Sequence, residues 1–264
     1  MSEQRTPGLS GLEGKNVLVT GGGLGIGAGA SFGGVNPSPR MPQPAFLFDL
    51  DGTLIDSVYQ HVIAWREALE QVGVNLAVWK IHRRIGMSGG LFVAALRREL
   101  RAELNEEALA RLPDLHAEAY TRHYPGVRPL EGATELLARL DEEGIPWAIA
   151  TSGAERTAGK ARALLGLPED TPMVTRDLVR YAKPDPDLFV TAAARIEVDI
   201  RESLVVGDSI WDLLAARRAG ALGIGLLSGG YGREELVHAG AFRVYEDPAD
   251  MLEHLDEIGV RRPA

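Results

Sequence analysis

From position 45 onward, the hydrophobic and polar residues alternate between the spacing of strands and the spacing of helices. Residues 45–50 are a short apolar run that ends at Asp-Gly-Thr, the pattern of a buried strand that stops at a turn. Apolar residues then recur every three or four positions from Val58 to Val72, which predicts an amphipathic helix. Asp56 and Ser57 are its candidate N-cap residues.

The same two patterns repeat along the second half of the chain. We expect buried strands at 147–150, near Met173, at 204–206 and at 223–227. We expect helices over 131–144, over 154–165, from Asp187 onward and over 210–219, before a final strand and helix. Because repeated βα units of this length build parallel sheets, the predicted fold class is α/β, a doubly wound parallel sheet with helices on both faces.

One block breaks this alternation and contains helical patterns only. Two further helices are expected over 91–104 and 106–120, before Pro125-Gly126 and Pro129 end the pattern. We therefore predict an inserted helical cap that covers the carboxyl edge of the sheet. The predicted organisation is a leader at 1–43, a core at 44–56 and 126–264, and a cap at 57–125.

The predicted leader differs in composition from the rest of the chain. The segment TGGGLGIG resembles the phosphate-binding turn of a short-chain dehydrogenase, in which Gly21, Gly25 and Gly27 would approach a dinucleotide pyrophosphate. Further glycines and prolines follow it, and they cannot form the crossover helix that such a site needs. We expect a disordered or non-native leader with Met41 as a natural first residue, and the alternative is an NAD(P)-dependent oxidoreductase.

A faint export-signal outline also lies in the leader. Lys15 precedes weakly apolar residues that end in Ala-Gly-Ala, but most of that region is glycine. We therefore expect a cytoplasmic location. No run approaches the roughly 18 uninterrupted apolar residues that a membrane-spanning helix needs.

Composition narrows the possible functions. The chain has 264 residues, with 28 Lys and Arg against 37 Asp and Glu, and a formal net charge of −9, which disfavours nucleic acids and anionic membranes as partners. It has no cysteine, which excludes disulfides, thiolate metal sites and cysteine nucleophiles. We expect a small-molecule partner and a monomer or weak dimer.

Polar residues that could take part in catalysis or metal binding follow several of the predicted strands. They are Asp49 and Asp51, Thr151, Lys183, and Asp208 with Asp212. The carboxyl ends of parallel strands share one edge of a sheet, so we expect these side chains in one crevice. Clustered carboxylates repel one another unless a cation holds them, and Mg²⁺ prefers such oxygen ligands and also binds phosphate oxygens. The set indicates phosphoryl transfer to an aspartate.

In chain order, the segments FDLDGTL, ATSG, AKPDPDLF and GDSIWD resemble the signature of the haloacid dehalogenase superfamily of phosphohydrolases. The resemblance covers roughly residues 45–245 and is strongest to members with a helical cap, such as phosphoglycolate phosphatases and β-phosphoglucomutases. It implies a Mg²⁺-dependent phosphatase that hydrolyses a small phosphomonoester through an aspartyl-phosphate. The alternative within this fold is a β-phosphoglucomutase-like phosphotransferase.

The resemblance implies roles for the four aspartates. Asp49 would be the nucleophile, and Asp51 would protonate the leaving oxygen and later deprotonate water. The Asp49 and Asp208 carboxylates and the Asp51 backbone carbonyl would hold Mg²⁺. Asp212 would orient water ligands of the metal or the Lys183 ammonium.

The resemblance also places the phosphate group. Thr151, with Ser152 beside it, would donate hydrogen bonds to phosphoryl oxygens, and Lys183 would hold negative charge on the nucleophile and the phosphate. Gly153 stands where relatives often carry Asn or Lys, which leaves the outer phosphate contacts open.

Substrate contacts from the cap are less specific. Candidates are His61, His82, Arg83, Arg84 and the loop 86–90. The two arginines would clamp a second anionic group such as a carboxylate, and a solvated helix face is their alternative. His61 lies on or beside the apolar stripe of the first cap helix, so packing is the alternative to a site role.

Overall fold

The computed structural model describes residues 44–99 and 105–260. The strands of this part, in chain order, are β1 (Ala45–Phe48), β2 (Ile55–Asp56), β3 (Arg128–Pro129), β4 (Trp147–Ala150), β5 (Met173–Val174), β6 (Ser203–Gly207), β7 (Leu222–Leu226) and β8 (Ala241–Tyr245). Its helices, in chain order, are α1 (Val58–Gln71), α2 (Val78–His82), α3 (Gly89–Glu99), α4 (Glu106–His123), α5 (Ala133–Glu142), α6 (Glu155–Leu164), α7 (Asp187–Arg195), α8 (Ile210–Ala219), α9 (Arg233–Ala239) and α10 (Pro248–Glu253).

Six of these strands form one sheet in the order β5-β4-β1-β6-β7-β8. Every neighbouring pair in it is parallel. The predicted fold class, a doubly wound parallel sheet, is confirmed. The order places β1 at the centre and the end of β1 beside the ends of β4 and β6, which brings the polar residues after these strands to one edge.

Strand β1 is buried on both faces, as the central strand of such a sheet must be. Phe46 and Phe48 point to one face, where their rings lie 5.9 Å apart and pack with residues of α5 and α6. Leu47 points to the other face and packs with Phe189 of α7 and residues of α8. Burial on both faces explains why the sequence of this strand is an unbroken apolar run.

The helices α1–α4 lie between β2 and β3 in the chain and share a hydrophobic cluster of their own. Trp65 and Leu69 of α1 pack there with Phe92 of α3 and Leu112 of α4. The strands β2 and β3 pair antiparallel where the chain leaves and re-enters the sheet region. These two strands and α2 have no sequence prediction, because two-residue strands and a five-residue helix are too short to show a period.

Some predicted boundaries differ from the structure. The helix predicted over 106–120 continues to His123, and the strand predicted over 223–227 begins one residue earlier, at Leu222. The helix predicted over 91–104 is described to Glu99. The leader predicted at 1–43, with Gly21, Gly25 and Gly27, lies outside the described residues.

The α2–α3 region contacts the core at several points. His82 Nε2 lies 2.8 Å from the Gly229 carbonyl oxygen, and the Tyr231 hydroxyl donates to the Arg83 carbonyl oxygen at 3.1 Å. The Ser152 hydroxyl donates to the Gly86 carbonyl oxygen at 3.1 Å. These contacts hold the helical insertion over the carboxyl edge of the sheet. Among the described residues, none of the helices is both long and apolar enough to span a bilayer.

The buried face of β1 gives a test of the fold. Phe46→Ala should lower the free energy of unfolding by about 3–5 kcal/mol, because it empties a fully buried site at the centre of the sheet. Phe242→Ala on β8 is the matched control, and since Phe242 is 46% exposed its effect should stay within about 0.5 kcal/mol. Urea unfolding followed by tryptophan fluorescence measures both, and equal losses would contradict the assigned burial.

Candidate active site

A sharp turn after β1 places the carboxylates of Asp49 and Asp51 at the edge of the sheet. Asp49 follows the strand and donates its backbone N–H to the Val206 carbonyl oxygen at 2.8 Å, which fixes it beside the end of β6. Gly52 then turns the chain back with φ +82°, a left-handed conformation that favours glycine. Asp51 lies between them, so both carboxylates start from one short, constrained loop.

A buried lysine binds two of the aspartates. The Lys183 ammonium forms ion pairs with Asp49 and, at 2.8 Å, with Asp212 Oδ1. All three side chains are almost wholly buried, and the ammonium lies 4.9 Å from the centre of the Phe189 ring. Burial acts to lower the pKa of Lys183, but the charges of Asp212 and Asp49 outweigh it and raise that pKa. Lys183 is therefore a permanent cation in the site.

One lysine does not balance the carboxylates of this cluster. Oxygens of Asp49, Asp208 and Asp212 all lie within 4.8 Å of one another. Burial raises the pKa of Asp49 to about 7 although Lys183 acts against it, and burial with the charges of Asp212 and Asp49 raises the pKa of Asp208 well above its ordinary value. The cluster therefore favours a proton or a second cation, and its donors are the hard oxygens that Mg²⁺ prefers.

The Asp208 side chain occupies space that is free only because Gly52 and Gly229 have no side chains. A Cβ on Gly229 would lie 1.8 Å from Asp208 Oδ2, and one on Gly52 would lie 2.6 Å from the same oxygen. The Thr53 hydroxyl donates to Asp208 Oδ1 at 3.1 Å, and the Ser228 hydroxyl donates to the Gly52 carbonyl oxygen at 2.6 Å. The loops after β1 and β7 thus close around this carboxylate.

Asp51 has different surroundings from Asp49, although only one residue separates them. The Ser57 hydroxyl donates to Asp51 Oδ1 at 2.6 Å, and His61 Nε2 lies 3.1 Å from the same oxygen. Burial acts to raise the pKa of Asp51, but His61 and the hydrogen bonds from His61 and Ser57 outweigh it and lower that pKa. Ser57 was a predicted N-cap, and it stands at that position but makes no side-chain cap bond.

His61 is itself held by a second histidine. Its Nδ1 lies 3.1 Å from His116 Nε2, and its ring stacks on Tyr120 at 3.9 Å. Burial lowers the pKa of His116 well below its ordinary value, so this ring is neutral. The sequence analysis missed His116, and its only signal was a polar residue four positions from both Leu112 and Tyr120, on the buried stripe of α4.

Thr151 and Ser152 follow β4 at the same edge. The Thr151 hydroxyl accepts a hydrogen bond from the Gly153 N–H at 2.9 Å, which turns the loop and keeps the hydroxyl proton available for another acceptor. Ser152 donates to the carbonyl oxygen of Gly86 and so joins the core to the insertion. Both residues line the same space as Asp49 and Asp51.

That space is a cavity of about 260 Å³ between the sheet edge and the helical insertion. The predicted residues that line it are Asp49, Asp51, His61, Arg84, Thr151, Ser152 and, from the predicted loop 86–90, Gly86, Met87, Gly89 and Gly90. Arg84 also pairs with Glu99. Arg83 does not line the cavity, because it pairs with Glu235 of α9 and its guanidinium packs 4.4 Å from the centre of the Tyr231 ring.

The fold and the site together define an α/β enzyme whose acidic site lies under a helical insertion. A family model described as haloacid dehalogenase-like hydrolase matches residues 44–220. The matched region covers more than half of the chain, so the chain belongs to the haloacid dehalogenase-like hydrolases. The match begins after the TGGGLGIG segment, which it does not include.

Named relatives and a solved structure agree with this family. Hexitol phosphatase A of Escherichia coli (strain K12) is 34% identical over 176 residues, which cover 66% of this chain and 79% of that protein. Phosphoglycolate phosphatase of Neisseria meningitidis is 32% identical over 200 residues, with coverages of 73% and 83%. The crystal structure of a hydrolase from Pseudomonas syringae has a TM-score of 0.80 and 55% identity, and the match covers 83% of this chain and all of that one.

The raised pKa of Asp49 predicts a pH-dependent response to Mg²⁺. The folded-state pKa lies above the ordinary 3.8, so the protonated form adds stability that is fully present below 3.8 and is lost as the pH rises through about 7. A cation offsets that loss. Mg²⁺ should therefore raise Tm more at about pH 8 than at about pH 5.5, since protons compete at the lower value. Asp49→Asn should reduce the difference, and an equal rise at both pH values would contradict the charge balance described above.

The room around Asp208 predicts the effect of one methyl group. Gly229→Ala should cost about 1–3 kcal/mol of unfolding free energy and weaken the Tm rise on addition of Mg²⁺, because the new Cβ displaces Asp208. Gly159→Ala in α6 is the control, because its Cβ would meet open space and a helical alanine adds about 0.5–1 kcal/mol of stability. Thermal unfolding with and without Mg²⁺ measures both, and a normal metal response in Gly229→Ala would be inconsistent with this packing.

Proposed function

We propose that this enzyme hydrolyses a small phosphomonoester through a phosphorylated Asp49. The observation that carries the proposal is the pairing of Asp49 with a fully buried Lys183 at one end of a cavity that Asp51 also lines. The named relatives support it, since a hexitol phosphatase and a phosphoglycolate phosphatase both remove phosphate from small molecules. The cavity volume lies below the roughly 300–1,000 Å³ of sites for drug-sized ligands, which suits a compact substrate.

In the first step, a carboxylate oxygen of Asp49 attacks phosphorus, and the bond from phosphorus to the ester oxygen breaks. The proton shared between Asp51 and His61 across their 3.1 Å contact passes to this ester oxygen, so the organic product leaves as an alcohol and Asp51 is left ionised. Lys183 keeps Asp49 oriented and stabilises negative charge as it moves from the carboxylate to the phosphoryl oxygens. The Thr151 hydroxyl donates a hydrogen bond to one of those oxygens.

In the second step, water takes the place of the leaving group. The lowered pKa of Asp51 keeps it ionised near neutral pH, so it can accept a proton from water as the water oxygen attacks phosphorus. The bond from phosphorus to Asp49 breaks, and inorganic phosphate and the free carboxylate are formed. The Ser57 hydrogen bond holds Asp51 in position for both proton transfers.

The residues for a metal ion are the Asp49 and Asp208 carboxylates with the backbone carbonyl of Asp51. Mg²⁺ bound there supplies positive charge that offsets the repulsion between the nucleophile and the phosphate. Asp212 is not among these metal ligands, because its carboxylate already accepts a hydrogen bond from the Ser209 N–H at 3.1 Å and pairs with Lys183. Its role in this proposal is to position Lys183.

The function is tested by hydrolysis of p-nitrophenyl phosphate with Mg²⁺ and with EDTA. We expect release of inorganic phosphate in the presence of Mg²⁺, and we expect EDTA to abolish it. Glucose 1-phosphate distinguishes the alternative acceptor, because a phosphotransferase would form glucose 6-phosphate in place of free phosphate.

The dinucleotide alternative stays a prediction, and titration of NADH fluorescence with the full chain tests it.

Asp49→Asn should abolish phosphate release and leave the fold intact, because the amide cannot attack phosphorus. Asp170→Asn is the control, since this exposed aspartate lies outside the site and its variant should keep full activity. Initial rates on p-nitrophenyl phosphate measure the loss, and circular dichroism verifies the fold. Activity close to wild type in Asp49→Asn would refute the assignment of the nucleophile.

A further inference from the structure

The cavity has an uncharged wall on the side of the helical insertion. The Trp65 ring lies 4.2 Å from the centres of both the Phe92 ring and the His116 ring. Trp65 and Phe92 are buried, and His116 is neutral because burial lowers its pKa well below the ordinary value. This wall fits the hydrocarbon part of a ligand and offers no cation to an anionic group.

Three arginines line the cavity. Two of them, Arg84 and Arg176, make contacts with other parts of the protein. Arg84 pairs with Glu99 and donates to the Lys80 carbonyl oxygen at 2.7 Å. Arg176 donates from Nη1 to the Val179 carbonyl oxygen at 2.8 Å.

The third arginine, Arg156, lies in the first turn of α6. Its side chain is exposed and, within 44–99 and 105–260, forms no ion pair. It lines the same cavity as Trp65, Phe92 and His116.

Gly153 lines the cavity between the reacting carboxylates and the helix that carries Arg156. A Cβ on Gly153 would lie 3.2 Å from Thr151 Oγ1, 3.3 Å from Thr157 Oγ1 and 3.9 Å from Asp51 Oδ2. This glycine therefore stands between the Asp51 carboxylate and the first turn of α6. Any larger residue would place a Cβ close to the Thr151, Thr157 and Asp51 side chains and would narrow the cavity there.

We infer that the substrate is a phosphate ester whose organic part carries an acidic group, and that Arg156 binds this group. The inference rests on the proposed phosphatase function. The phosphate occupies the end at Asp49, the carbon chain lies against Trp65 and Phe92, and the acidic group reaches the guanidinium. A carboxylate suits this position, because a guanidinium binds it with two parallel hydrogen bonds.

Pairs of substrates with the same chain length separate the effect of the acidic group from the effect of size. Gluconate 6-phosphate and sorbitol 6-phosphate differ in one carboxylate, and so do glycerate 3-phosphate and glycerol 3-phosphate. In at least one pair, the wild-type enzyme with Mg²⁺ should show a kcat/KM for the acid that exceeds that for the alcohol by roughly tenfold or more. The preference should appear mainly in KM, since the acidic group is remote from the reacting atoms.

Substitutions in α6 test whether Arg156 is the residue that causes this preference for the acid. Arg156→Gln should bring the acid-to-alcohol ratio of kcat/KM close to one, and Arg156→Lys should keep part of the preference because the charge remains. Lys160→Gln is the matched control, because it removes one positive charge from the same helix at a residue that lies 5.4 Å from the Tyr124 ring and outside the cavity lining. It should keep the wild-type ratio.

The outcomes separate this inference from the proposed function. An acid-to-alcohol ratio of about one or less in both pairs overturns the inference, as does a ratio that Arg156→Gln leaves unchanged or that Lys160→Gln lowers equally. Hydrolysis of p-nitrophenyl phosphate with no turnover of either acid also overturns the inference but not the phosphatase function. Failure to hydrolyse any phosphate ester, p-nitrophenyl phosphate included, overturns the function itself.

Discussion

The burial of the Lys183 ammonium between Asp49 and Asp212 is the interaction on which the site depends. Removing an ammonium from water costs several kcal/mol, and only close carboxylates can offset that cost in the interior. Asp49 follows β1 and Asp212 lies in the first turn of α8, which follows β6, so the pairing forms only when β1 and β6 lie side by side in the sheet. The ion cluster and the sheet order therefore stabilise each other.

This cluster has an excess of carboxylates, and the excess sets the charge balance of the site. With Asp208 included, three carboxylates share one lysine, and burial raises the pKa of both Asp49 and Asp208. A site with this imbalance attracts a cation, and any positive charge bound next to Asp49 favours its ionised form, which the proposed mechanism requires. The close approach of Gly229 shows that the surrounding loops leave room for Asp208 and little more.

The helical insertion gives Asp51 an environment that the core alone does not provide. Asp51 is two positions from Asp49, but its pKa is lowered because His61 of α1 and Ser57 contact it. The same insertion supplies the neutral His116 and the aromatic wall of the cavity. Two carboxylates of one loop thus differ in chemistry because one faces the lysine and the other faces the insertion.

Much of the fold could be predicted from the sequence, because unbroken apolar strands and helical stripes are local patterns. The motifs after those strands likewise predicted the residues at the sheet edge, since parallel topology brings strand ends together. The contacts of individual side chains could not be predicted in this way. Arg83 and Arg84 are adjacent and chemically identical, but Arg83 packs on Tyr231 and Arg84 lines the cavity.

By itself, then, the sequence determined the class of fold, the family and which carboxylates meet at one edge of the sheet, because these depend on residue type, spacing and strand order. Only the tertiary structure decided that His61 reaches Asp51, that His116 supports it, and that Arg156 faces the cavity. These side chains come from helices that are far apart in the chain. Their distances depend on how the insertion packs over the sheet, which no local pattern of residues records.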